Sequence, residues 1–195
     1  MRFGIVAAVL GMAIAATGCS PVSGTPSPST TTSSRPTAPK VANPIDTTKY
    51  RASPCILLTA AQVAQYRITS AGSTSDGTTA LGPGCSWSQL GGSGLTVQFI
   101  TANKTGITSL YINKDIIVNG GGYWAATTIQ GYPGVFNSSL DDRKTGDCSL
   151  AVGVTDTLTY NVAVTADKST PQYSDPCGMT SQIADMVLTT MRGGA

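Results

Sequence analysis

Histidine and glutamate are both absent from this 195-residue chain, and charged residues make up only 11% of it, under half of the roughly 25% usual in soluble domains. The missing histidine excludes Ser-His-Asp and Cys-His catalysis, His-ligated zinc and an imidazole switch near neutral pH. Because all ten acidic residues are Asp, the terminal Glu of an EF-hand is unobtainable. A formal charge of +2 with no basic run offers no footprint for nucleic acid, which needs several Lys or Arg on one face. Neither a cofactor nor a metal is expected. What is abundant is Ser and Thr, 48 residues together, while cysteine is scarce and odd in number, at five.

Phe3 to Ala16 form an apolar run behind Arg2 that ends in Ala16-Thr17-Gly18-Cys19. The run is shorter than the roughly 20 residues a spanning helix requires, and it reads as a secretory signal peptide over residues 1–18. The small residues before Cys19 resemble a lipobox, with Ala16 where Leu is most frequent, so Cys19 is the expected lipid attachment point. Ordinary cleavage near Ala15 or Ala16 would instead leave an unexplained thiol in an exported chain. The location this implies is the extracytoplasmic face of the cell membrane, reached through a lipid anchor in which each buried methylene contributes about 0.8 kcal/mol. Residues 19–52 follow as the acylated cysteine and a Ser/Thr/Pro-rich tether, with five prolines by Pro39 that prevent regular hydrogen bonding. As a coil it would span roughly 30 to 35 Å.

Readable periodicity begins at Ser53, so residues 53–195 form the expected single folded domain. Thr59 and Gln62 have the spacing of a capping box, which places a helix start after Pro54-Cys55. Asp175-Pro176-Cys177 precedes a second helix, with Met179, Ile183, Met186, Val187 and Met191 on one face and Gly193 as its stop. Cys85 and Trp87 share parity with Leu95, Val97 and Phe99 across the loop Gly91-Gly92-Ser93-Gly94, which predicts a hairpin with these side chains on one face. Cys148, Leu150, Val152 and Val154 alternate with small or polar residues, as do Leu158, Tyr160, Val162 and Val164. Facing the two sets together predicts a three-residue loop, Thr155-Asp156-Thr157. Between the hairpins Ile107, Leu110 and Tyr111 predict a weaker helix, and Thr127 to Phe136 a strand, a turn near Tyr132-Pro133 and another strand. The order predicts an α+β fold, an antiparallel sheet of about six strands with helices mainly on one face.

With Cys19 acylated, Cys55, Cys85, Cys148 and Cys177 remain, and an exported chain oxidises them in pairs. Three connectivities are open. The nearest-neighbour choice, Cys55 to Cys85 and Cys148 to Cys177, is the expectation, each closing a loop worth roughly 3.6 kcal/mol in the chain-entropy account. The ordered set of lipobox, tether, Pro54-Cys55, Gly84-Cys85-Ser86-Trp87, Gly131-Tyr132-Pro133-Gly134-Val135, Cys148 and Pro176-Cys177 resembles actinobacterial lipoproteins of the domain of unknown function 3558 family, which includes mycobacterial LprB-like lipoproteins. The resemblance runs from Ser53 to about Arg192. It implies a cell-envelope lipoprotein and supplies no catalytic residues.

Two segments carry candidate chemistry. Asp141-Asp142-Arg143-Lys144-Thr145-Gly146-Asp147 is the densest charge cluster; its carboxylates could serve a hydrolase, but Arg143 and Lys144 interrupt them and favour a solvated turn. Asn119-Gly120-Gly121-Gly122-Tyr123-Trp124 places flexible glycine beside two aromatics, which together with Tyr132 could stack on a sugar or acyl chain. The competing reading of Trp124, and more so of Trp87, is core packing. The function expected is a membrane-tethered, non-catalytic binding or interaction module for a glycan, a lipid or an envelope protein; the alternative is an Asp-dependent envelope hydrolase.

Overall fold

A computed structural model describes residues 36–76 and 81–193. Cys19, the apolar run before it and the tether up to residue 35 lie outside the described residues. Seven strands, rather than about six, form one antiparallel sheet in the order β1-β2-β3-β7-β6-β5-β4. They are β1 (Ser73–Asp76), β2 (Pro83–Ser88), β3 (Gly94–Ile100), β4 (Tyr123–Ile129), β5 (Tyr132–Ser138), β6 (Asp147–Thr155) and β7 (Leu158–Thr165). The strand not foreseen is β1, whose Ser-Thr-Ser-Asp sequence carries no apolar alternation and which pairs only with β2.

Alternation sets the two faces. Cys85 and Trp87 stand beside Val97 and Leu95, and Leu150 and Val152 beside Val162 and Tyr160, as their parity predicts. The β6–β7 turn solves the parity problem in another way than a three-residue loop. Pairing passes from Gly153 opposite Thr159 to Thr155 opposite Leu158, so Val154 is the extra residue of a bulge and the turn keeps only Asp156-Thr157. The apolar sets still face one way because the bulge absorbs the odd residue. Tyr132, expected within a turn, is instead the first residue of β5. The actual β4–β5 turn is Gln130-Gly131, both left-handed, with φ of 47° and 85°, the backbone of a two-residue hairpin.

The helices are α1 (Thr48–Ala52), α2 (Ala60–Ala64), α3 (Thr108–Ile112), α4 (Lys114–Asn119) and α5 (Pro176–Met191). The predicted capping box of α2 is present in both halves, Thr59 and Gln62 each accepting from the other's backbone N–H. Pro176 at the first helical position, Asp175 accepting from the Gly178 N–H and Gly193 at φ 81° bound α5. Its Met179, Ile183, Val187 and Leu188 are wholly enclosed against Leu150, Val152, Tyr160 and Val162, each such side chain contributing about 1.5 to 3 kcal/mol. Helices are not confined to that face. Ile107, just before α3, lies over Gly153 and Pro133 on the other side.

The core also recruits residues N-terminal to Ser53. Val41, Thr47 and Tyr50 are buried; the Val41 N–H donates to Asp156, the Ile45 N–H to the Val154 carbonyl, and the Tyr50 hydroxyl to the Thr190 carbonyl. Two disulfides clamp the ends of the domain to the sheet, Cys55–Cys85 and Cys148–Cys177, the nearest-neighbour pairing. They take up four of the five cysteines.

Candidate functional site

Adjacent in sequence, Tyr123 and Trp124 point to opposite faces of β4, and the structure does not gather them with Tyr132 into one site. Tyr123 is buried; its hydroxyl accepts from the Ser149 N–H and lies against Cys148 Sγ, while the Arg143 guanidinium covers its ring at 4.5 Å. Burial raises its pKa above the usual phenol range, only partly opposed by the Ser149 hydrogen bond and Arg143. Tyr132 is buried too and donates to the Asn43 carbonyl at 2.8 Å. The glycines beside the aromatics have structural reasons. Gly121 has φ of 92°, and a Cβ at Gly122 would overlap the Ser138 carbonyl oxygen, so this run lets α4 turn directly into β4.

Trp124 is half-buried on the second face. Its indole N–H donates to the Leu110 carbonyl at 2.9 Å, its ring meets Tyr111 edge-on at 5.0 Å, and Lys114 Nζ stands 4.8 Å over it. These contacts fasten α3 beside the sheet. Between α3 and the sheet lies a groove of about 300 Å³, at the lower end of ligand-pocket size.

Its floor is the second face of the sheet, with Ile100, Asn161, Ala151 and Ser149 on neighbouring strands; Asn103 and Leu110 form the wall, and Asn137 closes one side. Asn137 pairs directly with Trp124, so the residue suspected from sequence supports the groove from outside rather than lining it. Among the described residues, no residue lining the groove has an ionisable side chain. The Ser149 hydroxyl donates to Asn161 Oδ1, which orients that amide. Asn103 is fixed by the Gly106 carbonyl and the Thr105 N–H. From sequence, Ser149, Ala151 and Asn161 read only as the small or polar partners of an apolar alternation. The overlooked signal is asparagine at mid-strand, where its β propensity is poor.

Residues 14–190 match a family described as protein of unknown function (DUF3558). The chain belongs to this DUF3558 family. No curated protein and no solved structure matches it. In this DUF3558 chain a smaller hollow, of about 210 Å³, shares Ser138 and Ser149 with the groove and is bordered by Asp142 and Asp147. Asp147 accepts from the Thr165 hydroxyl at 2.7 Å. Next to it, Asp141 is ion-paired with Arg143, whose hydrogen bond holds the carboxyl below the usual carboxylate range.

The other shifted carboxyls move the same way. Hydrogen bonds from Thr48 lower Asp46, those from Val41 and Lys40 lower Asp156, and those from Ser169 lower Asp167. Each of these four is a structural acceptor held in its ionised form, the reverse of the raised pKa a general acid requires. Among the described residues no three Cys or Asp side chains group so as to hold a metal ion, and no helix is long and apolar enough to cross a membrane.

Proposed function

We propose that this chain is an actinobacterial cell-envelope lipoprotein of the LprB-like kind, anchored through Cys19, whose domain binds a neutral ligand and performs no chemistry. The observation that carries this reading is the groove on the second face, concave, part apolar and part amide or hydroxyl, without an ionisable side chain among the described residues. Binding there would come from burial against Ile100, Leu110 and Ala151 and hydrogen bonds to Asn137 and Asn161. A glycan or the head of a neutral lipid has that mixed character. Support for the anchor is the cysteine arithmetic: disulfides take Cys55, Cys85, Cys148 and Cys177, an oxidising compartment suits them, and Cys19 is the remaining thiol.

The test is native mass spectrometry of the full chain purified gently from its own envelope, beside Asn161→Leu, which keeps the branched shape of the side chain and removes the amide. A co-purifying adduct on the wild type that is lost from the variant is the expected result, and equal adducts on both would contradict it. A hydrolase would have to use Asp142 and Asp147 around the smaller hollow. Substrate turnover abolished by Asp147→Asn would favour that reading.

A further inference from the structure

Edge strands present a row of backbone N–H and C=O groups to any extended chain, and proteins commonly blunt them with charge, proline, bulges or shortness. One edge of this sheet, β1, is short and ends in Asp76. The other edge, β4, has none of these protections. Tyr123-Trp124-Ala125-Ala126-Thr127-Thr128-Ile129 contains no charge, proline or glycine, and it pairs with β5 over all seven residues without a bulge. Among the described residues, no backbone group of β4 has a hydrogen-bond partner outside β5. Ala125, Ala126 and Thr128 are exposed. The helix that leads into this strand, α4, exposes Ile116 and Val118 at 73% and 45%.

We infer that β4 pairs with β4 of a second copy of this chain, antiparallel about a two-fold axis at Ala126, joining two sheets into one. The sequence of the strand is self-complementary in that register. Ala125 would face Thr127, Trp124 would face Thr128 and Tyr123 would face Ile129, combinations of small, aromatic and β-branched residues that favour strand pairing. Because the strand is uncharged, the symmetric pairing sets no like charges against each other. A two-fold interface is also the commonest closed form of association. The inference does not depend on what occupies the groove.

Sedimentation equilibrium of the full chain in density-matched detergent tests it. The wild type should run at twice the monomer mass. Ala126→Lys sets like charges opposite each other across the axis and should raise the dimer dissociation constant by about tenfold or more, whereas Ala126→Thr should leave it nearly unchanged. Far-ultraviolet circular dichroism should be the same for all three, since Ala126 is exposed. The amides of Trp124, Ala126 and Thr128, which alternate with those directed to β5 and so face the free edge, should gain hydrogen-exchange protection as concentration rises. A monomeric wild type, a dimer indifferent to Ala126→Lys, or a monomer whose edge is protected only by an added extended peptide would each overturn the inference.

Discussion

The side-chain amide of Gln130 lies 3.0 Å from the Asp185 carbonyl oxygen and 2.9 Å from its carboxylate, tying the tip of the β4–β5 hairpin to the middle of α5. The same amide reaches the Thr189 hydroxyl, and its oxygen accepts from Arg192. Gln130 holds this position in a left-handed backbone conformation, φ 47°, which costs a residue with a Cβ about 1 to 2 kcal/mol.

Gln130→Ala removes the bridge and keeps the backbone cost, so it should destabilise the domain by about 1 kcal/mol. Gln130→Gly removes both and should be the milder change by about 1 kcal/mol. Urea unfolding of the two variants checks the order; a Gly variant weaker than the Ala variant would refute this account of the turn.

Half-buried and bonded to the Leu110 carbonyl, Trp124 holds the wall of the groove. Trp124→Ala should cost about 2 kcal/mol, below the 3 to 5 kcal/mol of emptying an enclosed Trp site. It should also loosen α3, seen as faster amide exchange at residues 108–112. Unchanged exchange there would separate Trp124 from the groove.

Much of this architecture was legible because alternation and capping are local. The parity of Cys85, Trp87, Leu95 and Val97 placed them on one face, and Thr59 with Gln62 marked the start of α2. The strand β1 was not legible, since an edge strand of Ser, Thr and Asp needs no apolar period when β2 alone supplies its partner. Nor was the burial of Val41 and Tyr50, which depends on acceptors far along the chain, Asp156 and Thr190. The groove escaped notice for a related reason: its residues come from α3 and four strands, and only the sheet order brings them together. Tyr123 and Trp124 looked like a pair in sequence, but on a strand neighbours face opposite ways.

Stability should be flat across neutral pH, because the chain has no histidine. Asp46, Asp141, Asp156 and Asp167 have folded pKa values below the ordinary one. Their stabilisation is therefore present above about pH 4 and lost as pH falls through the lowered values. Burial raises Tyr160 most of all, whose hydroxyl donates to the Ala184 carbonyl, and also raises Tyr123 and Tyr66. Their contribution is complete below about pH 10 and lost as pH rises through the raised values. Thermal melts from acid to alkaline pH should show a plateau with falls at both ends, and a step near pH 6 to 7 would contradict this.

Cys19→Ser should move the chain from the detergent phase to the aqueous phase on phase partitioning, while leaving the two disulfides intact by non-reducing peptide mapping. Equal partitioning of wild type and variant would remove the lipid anchor from the account.

Nuclear magnetic resonance mapping of the isotope-labelled full chain, titrated with a neutral glycolipid and glycan extract of its own envelope, addresses the ligand site most directly. The account predicts shifts concentrated at the side-chain amides of Asn103, Asn137 and Asn161 and the backbone amide of Ser149. They should be nearly the same at low and high salt, because no charged residue among the described ones lines the groove. Shifts confined to Asp141 through Asp147, or binding that fades as salt is added, would contradict it.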